Sequence, residues 1–238
     1  MNIALIGYGK MGHMIEGIAQ ERGHHITLRI SIDNLHEFTE EALRGTDVAI
    51  EFTAPDAAFG NVQRLLQWGI PVVSGSTGWN EQLPEAKRIC EETGGAFLHA
   101  SNFSVGVNIF FEVNKMLARL MNAQPAYDVE LLEIHHTEKK DAPSGTAVTL
   151  AEQVLDALDR KDRWVKENAQ QESDLAIRSE RTDPAPGTHH VRYSSPVDDI
   201  EIVHTAHNRQ GFATGAVLAA EFIAGKKGIF TMKDVLQF

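Results

Sequence analysis

The residues best suited to chemistry fall in one stretch, His135-His136-Thr137-Glu138-Lys139-Lys140-Asp141-Ala142-Pro143-Ser144-Gly145-Thr146. Two imidazoles can give and take protons near neutrality, two ammonium groups can balance anions, and Ser-Gly-Thr offers hydroxyl and backbone donors. The stretch before it, residues 127–134, reads as a strand. After it Ala147, Val148, Ala151, Val154, Leu155 and Leu158 recur at helical spacing. The loop therefore joins a strand to a helix start, with Pro143 fixing the entry and Ser144 or Thr146 able to cap the first turn. Free N–H groups and partial positive charge at a helix start suit a carboxylate. Such a loop can hold an anion and move a proton; the plain alternative is a solvated polar loop with an ordinary cap.

The rest of the chain must position that loop. Residues 2–6 form a short apolar run, followed at once by Gly7-Tyr8-Gly9-Lys10-Met11-Gly12 and a helical pattern to Arg22, closed by Gly23. Strand, G-x-G-x-x-G and helix is the context in which this motif binds a dinucleotide. The first glycine permits the tight turn, the second lets backbone approach a pyrophosphate, and the third allows close helix–strand packing. Ile26, Leu28, Ile30 and Ile32 alternate as a second strand ending at Asp33. That acid lies about 20 residues beyond the motif, the spacing of a carboxylate for the ribose hydroxyls, although a turn aspartate would look the same. Asn34 follows where an arginine would have favoured a 2′-phosphate, so NADH is favoured over NADPH, with Lys10 and Arg29 left as groups that could meet a phosphate.

Strands are expected at 48–52, 70–73 and 96–100, alternating with helices at 57–68 and 80–93. This pattern indicates a Rossmann-type, doubly wound parallel sheet of the α/β class. Ligands bind such sheets beyond the carboxyl ends of the strands, where Gly7 to Gly12, Gly75-Ser76-Thr77 and Ala100-Ser101-Asn102-Phe103 fall. After a helix at 108–121 the pattern changes. Strands at 127–134, from 175, around 191–193 and at 200–204 give a second α+β domain with a four-stranded mixed sheet, and polar residues 159–174 read as an exposed excursion. Two helices are too few to cover both faces, so a partner subunit is the expected cover. Residues 212–224 and a short piece capped by Thr231 read as helices, without a strand, returning to the first half. Residues 1–106 and 209–238 would thus form a dinucleotide-binding domain and 107–208 a substrate-binding and oligomerisation domain, with a hinge between them.

Composition narrows the classes. Of 238 residues, 42% are hydrophobic and 23% charged, enough for a full core. A formal net charge of -11 disfavours nucleic acid and anionic membrane. Cys90 is the single cysteine, which excludes an intrachain disulfide and fits a reducing cytoplasm. No apolar run reaches membrane-span length, and a first strand from Asn2 would leave no room for a signal peptide. His189, His190, His204 and His207 are the best metal candidates among eleven histidines, but they lack the usual ligand spacing, so no metal is expected.

The loop His135-His136-x-x-Lys139-x-Asp141-Ala142-Pro143-Ser144-Gly145-Thr146-Ala147 resembles the signature of the dihydrodipicolinate reductase family. So do Gly7 to Gly12, Gly75-Ser76-Thr77-Gly78, Asn102-Phe103-Ser104-Val105-Gly106-Val107, Gly187-x-His189-x-Val191, Arg209-x-x-Phe212-Ala213-x-Gly215-Ala216 and Met232-x-Asp234-Val235-Leu236, in the family's order. The resemblance implies reduction of 4-hydroxy-tetrahydrodipicolinate, a cyclic dicarboxylate, with NADH or NADPH in diaminopimelate and lysine biosynthesis, by a cytoplasmic homotetramer. It implies His135 as catalytic acid/base and Lys139 as proton donor, with substrate held by His136, Ser144, Gly145 and Thr146. The dinucleotide would meet Gly7, Tyr8, Gly9, Lys10, Met11, Gly12, Asp33, Gly75, Ser76, Thr77, Ala100, Ser101, Asn102 and Phe103. Glu138 and Lys140 depart from the family's habit, and Glu138 could pair with a neighbouring lysine. Two other readings stay open. One is a dinucleotide-dependent reductase or amino-acid dehydrogenase acting on another imine; the other is a catalytically silent NAD(P)H-binding sensor.

Overall fold

Short apolar strands that alternate with amphipathic helices have one economical packing, a parallel sheet with helices on both faces. The computed structural model describes residues 1–238 and has two compact units, Met1–Val105 with Gln210–Phe238, and Gly106–Arg209. In the first unit the chain runs through β1 (Asn2–Ile6), α1 (Lys10–Glu21), β2 (His25–Ile30), β3 (Val48–Glu51), α2 (Pro55–Gln67), β4 (Val72–Ser74), α3 (Leu83–Thr93) and β5 (Ala96–His99). Successive residues of β1 serve opposite faces. Ile3 and Leu5 join one apolar cluster with α1's Ile15 and Ala19, and Ala4 and Ile6 join another with α2 and α3. The strand expected to reach Asp33 stops at Ile30. The Ile30 carbonyl accepts the N–H groups of Gly7 and Tyr8, and the Asn34 side chain accepts from Ser31 N–H (2.7 Å) and donates to the Arg29 carbonyl (2.9 Å). These side-chain bonds offer the backbone a turn in place of a ladder, and Ile32 is left 88% exposed.

The second unit contains α4 (Val105–Asn122), β6 (Asp128–His135), α5 (Gly145–Leu155), β7 (Arg163–Lys166), β8 (Asp174–Arg181), β9 (Gly187–Ser194) and β10 (Asp199–Ala206). Its sheet has five strands, ordered β10-β9-β6-β8-β7, rather than the expected four. The fifth, β7, lies in the stretch read as an excursion. It is an edge strand parallel to β8, and charged side chains stitch it in. The buried Lys161 ammonium donates to the Glu172 and Asp174 carbonyls, and Arg163 pairs with Asp174 at 2.8 Å. One sheet face packs Val129, Leu131, Leu175, Ile177 and Val191 against Ala147, Leu150, Ala151 and Val154 of α5. The other carries cross-strand ion pairs, Glu130–Arg178 and Arg192–Asp199, and a His190–Glu201 contact.

The chain then returns to the first unit through α6 (Gln210–Ile223), β11 (Gly228–Phe230) and α7 (Met232–Leu236). The sequence reading expected no strand here, yet β11 pairs parallel with β5 and completes a six-stranded sheet, β11-β5-β4-β3-β1-β2. Three residues are too few to show a period. Gly215 is where α6 touches down: a Cβ there would lie 1.7 Å from the Phe103 carbonyl oxygen.

Candidate active site

On β6 the inward positions read Val129, Leu131, Glu133, His135, so the phase that supplies core to the lower half supplies a carboxylate and an imidazole to the upper half. The neighbouring strands extend this change sideways. Ser179 on β8 and His189 on β9 stand opposite Glu133, and His204 on β10 stands opposite His189. Arg181 stands opposite His135. Above an apolar layer, the same sheet face therefore carries a row of polar side chains.

Glu133 is the hub. Its side chain is fully buried, one oxygen accepting from Arg181 Nη2 at 2.8 Å and from the Ser144 N–H at 3.3 Å, the other facing His135 Nδ1. Burial works to raise its pKa, but hydrogen bonds from His135, Ser179 and Arg181 outweigh it and hold the carboxyl at about 2. His189 moves the other way. Burial, with the neighbouring His135 adding to it, lowers its pKa to about 3, so this imidazole is neutral. The two rings meet edge to face at 5.1 Å. His189 Nε2 lies 3.1 Å from Ser144 Oγ, which also accepts the Ala147 N–H at 3.2 Å and so caps α5.

The loop is tied to this row. Arg181 donates to the carbonyls of Asp141 (2.7 Å) and Lys139 (3.4 Å), and Thr137 Oγ1 bonds Asp183 at 2.6 Å. The Lys139 ammonium lies 2.8 Å from both Asp141 oxygens, so its carboxylate partner is Asp141 and not Glu138. Gly145 opens α5 with nothing within 4 Å of where a Cβ would stand, and the helix's first turn carries no acid. Of the histidines considered for metal, His204 faces inward while His207 lies beyond the end of β10. Glu133, His135 and His189 offer ligand atoms within 4.8 Å of one another, a trio the sequence reading did not assemble. Both carboxylate oxygens are already engaged, and Arg181 brings the positive charge that a cation would.

In the first unit the motif glycines divide their roles. Gly7 has φ of +100°, and a Cβ there would fall 2.0 Å from the Phe52 carbonyl oxygen; one on Gly12 would fall 2.6 Å from the Gly7 carbonyl oxygen. Both are needed by the fold itself. A Cβ on Gly9 would meet nothing within 4 Å, and α1 starts there without a side-chain cap or an acid in its first turn. An open glycine before bare helix N–H groups fits a dinucleotide's pyrophosphate. Lys10 is exposed and Met11 packs on the apolar cluster. Tyr8 bonds Glu16, which also takes Arg29, so Arg29 is committed to an internal carboxylate. Asp33 is exposed in the turn after β2.

Gly75 is tight, since a Cβ would strike the Phe52 ring at 2.1 Å. Ser76 is buried; its hydroxyl donates to Glu51 (2.8 Å) and accepts the Thr53 N–H (2.7 Å). Glu51 is fully buried there, and burial pushes its carboxyl up. Thr77 and Ser101 are exposed, Ala100 and Asn102 half-buried. Phe103 belongs to the core beside Phe52, ring centres 5.8 Å apart. Among the residues read as cofactor contacts, Ser76 and Phe103 thus turn their side chains inward. Glu133, Ser179 and Arg181 were missed, although the break in the apolar phase after Leu131 marked the first of them.

A doubly wound sheet with a glycine-rich first turn, in one chain with an α+β unit bearing a buried Glu–His pair beside a helix start, is the plan of a dinucleotide-dependent oxidoreductase. The family models for dihydrodipicolinate reductase match in two parts, its N-terminus over residues 1–103 and its C-terminus over residues 106–236. The chain is 48% identical over 237 residues to the 4-hydroxy-tetrahydrodipicolinate reductase of Christiangramia forsetii, covering 99% of this chain and 98% of that one. It is 32% identical over 228 residues to that of Neisseria gonorrhoeae, covering 93% and 83%. A dipicolinate-bound dihydrodipicolinate reductase from Paenisporosarcina sp. TG-14 superposes with a TM-score of 0.78 at 22% identity, covering 98% of each chain. An amine dehydrogenase from Mycobacterium smegmatis shares the fold at a TM-score of 0.63 and 12% identity, covering 98% of this chain and 95% of that one. The chain belongs to the dihydrodipicolinate reductase family.

Proposed function

We propose that the protein reduces 4-hydroxy-tetrahydrodipicolinate to tetrahydrodipicolinate with NADH, in diaminopimelate and lysine biosynthesis. The observation that carries this reading is the His135–Glu133 pair under a loop that ends at the open start of α5. The bound dinucleotide supplies a hydride from its nicotinamide. The chain's own groups do the rest. The N–H groups of Gly145 and Thr146, with the Ser144 cap beneath them, hold a substrate carboxylate. His136 lines the same loop. Lys139 leaves Asp141 for the substrate and offsets its negative charge, which draws electrons away from the carbon being reduced. Once the 4-hydroxyl has left as water to give the conjugated ring that accepts the hydride, His135 delivers the proton that completes the addition.

Gly7 to Gly12, Asp33, the backbone of Gly75 to Thr77 and Ala100 to Asn102 form the dinucleotide side. NADH is favoured because Arg29 is engaged by Glu16 and Asp33 is followed by Asn34 rather than by an arginine. The cytoplasm is the location that fits a lone buried thiol, Cys90, and no helix is long and apolar enough to cross a membrane. A homotetramer formed through the second unit's sheet would cover the face left without helices.

The test is NADH oxidation by the purified protein with freshly prepared substrate. Turnover with NADH is expected, with dipicolinate acting as a competitive inhibitor. Binding of NADH without turnover would leave a sensor, and turnover only with another imine would move the protein to a different reductase class.

A further inference from the structure

An imidazole has two nitrogens, and a proton-transfer group works only if the right one faces the substrate. Nδ1 of His135 faces Glu133. The other oxygen of Glu133 is held by Arg181 at 2.8 Å and by the Ser144 N–H at 3.3 Å, so the carboxylate cannot turn away. Gly187 on β9 stands at the opposite edge of the ring. A Cβ there would lie 3.0 Å from His135 Nε2. The ring's flank is filled by His189, edge to face. Lys139 and Asp141 of the loop, Arg181 of β8, His189 of β9 and His204 of β10 complete the charged and titratable surroundings.

We propose that Glu133, clamped by Arg181, is a positioning residue that fixes His135 as the Nδ1–H tautomer and so reserves Nε2 for the substrate. It rests on the assignment of His135 as the proton-transfer group. In the transfer, the Nε2–H bond of the imidazolium breaks and a C–H bond forms on the substrate. The ring is left neutral with its remaining proton on Nδ1 against Glu133, and solvent restores the proton at Nε2. The carboxylate stays ionised throughout. Glu133 touches neither substrate nor cofactor in this scheme, and its effect passes through the orientation of one ring.

The experiment is ¹⁵N NMR of the full-length protein labelled at histidine, with the His135 signal identified by its loss in His135→Ala. The expected wild-type signature at alkaline pH is protonated Nδ1 and bare Nε2. In Glu133→Gln, whose amide can donate as well as accept, the Nε2–H tautomer is expected to appear. Turnover should fall roughly 100-fold, as for loss of a positioned acid–base group, with KM for NADH unchanged. A wild-type ring carrying its proton on Nε2 would overturn the proposal, and this measurement needs no variant to fold. An unchanged tautomer and unchanged turnover in a folded Glu133→Gln protein would also overturn it. Full activity in His135→Ala would instead remove the catalytic assignment, which the tautomer measurement does not touch.

Discussion

Ser144 Oγ meets two partners at once, the His189 imidazole at 3.1 Å and the Ala147 N–H at 3.2 Å. One hydroxyl thus caps α5 and satisfies a buried histidine of β9. Ser144→Ala is expected to lose the cap, about 1 kcal/mol, and to leave His189 Nε2 without its partner. Denaturant unfolding should show the lowered midpoint. If the helix start also holds substrate, steady-state kinetics should show a raised KM for the dicarboxylate and an unchanged KM for NADH.

The motif glycines make a paired prediction. Gly12→Ala must push a methyl to within 2.6 Å of the Gly7 carbonyl oxygen and should lower the melting temperature sharply. Gly9→Ala meets no protein atom within 4 Å, so the fold should keep its melting temperature. Dinucleotide affinity, measured by NADH fluorescence titration, should fall. Equal loss of stability in both would mean that Gly9 serves the fold and not a ligand.

His189 gives a pH dependence whose sign is fixed. Its pKa is about 3 in the folded protein against an ordinary 6.5, because burial disfavours the charged ring. Between these values the unfolded chain binds a proton that the folded one refuses. Stability from this group is therefore present above pH 6.5 and is lost as pH falls toward 3. Glu133 also loses its contribution on acidification, but only from its ordinary 4.5 down to about 2. Between pH 6.5 and 4.5 the two separate. His99 and His204 are lowered by burial as well, so the wild-type slope contains them. The difference from His189→Gln isolates His189, and the variant's stability should fall less with acid, by at most about 1.4 kcal/mol per pH unit. Parallel unfolding curves across this window would show that His189 is charged in the folded state.

Much of this site was legible because its residues are close in sequence. The strand, the loop from His135 to Thr146 and the capped helix are local, and so is the glycine motif. What was missed is long-range or short. Arg181 reaches Glu133 across a separation of 48 residues, and only the register of β6 with β8 brings them together. Four-residue β7 and three-residue β11 are too brief to declare a period. Position at a strand's end located Ser76 and Phe103 but could not say which way their side chains turn. That depended on the buried Glu51 carboxylate and on the close seating of α6.

The proposed preference for NADH rests on another internal pairing. Glu16 receives the Arg29 guanidinium and the Tyr8 hydroxyl, and the same residues hold the Glu16 carboxyl below its usual range, Arg29 contributing most. Tyr8 stands inside the glycine motif and Arg29 next to the end of β2, where the adenosine ribose is expected. A guanidinium neutralised in this way has little attraction left for a 2′-phosphate. Glu16→Gln removes the opposing charge while keeping a similar shape, and should set Arg29 free to meet that phosphate. The ratio of kcat/KM for NADPH to that for NADH is expected to rise several-fold, mainly through a lower KM for NADPH, with the dicarboxylate KM unchanged. A wild-type protein that already prefers NADPH, or a variant whose ratio does not move, would show that Arg29 is not what sets the preference.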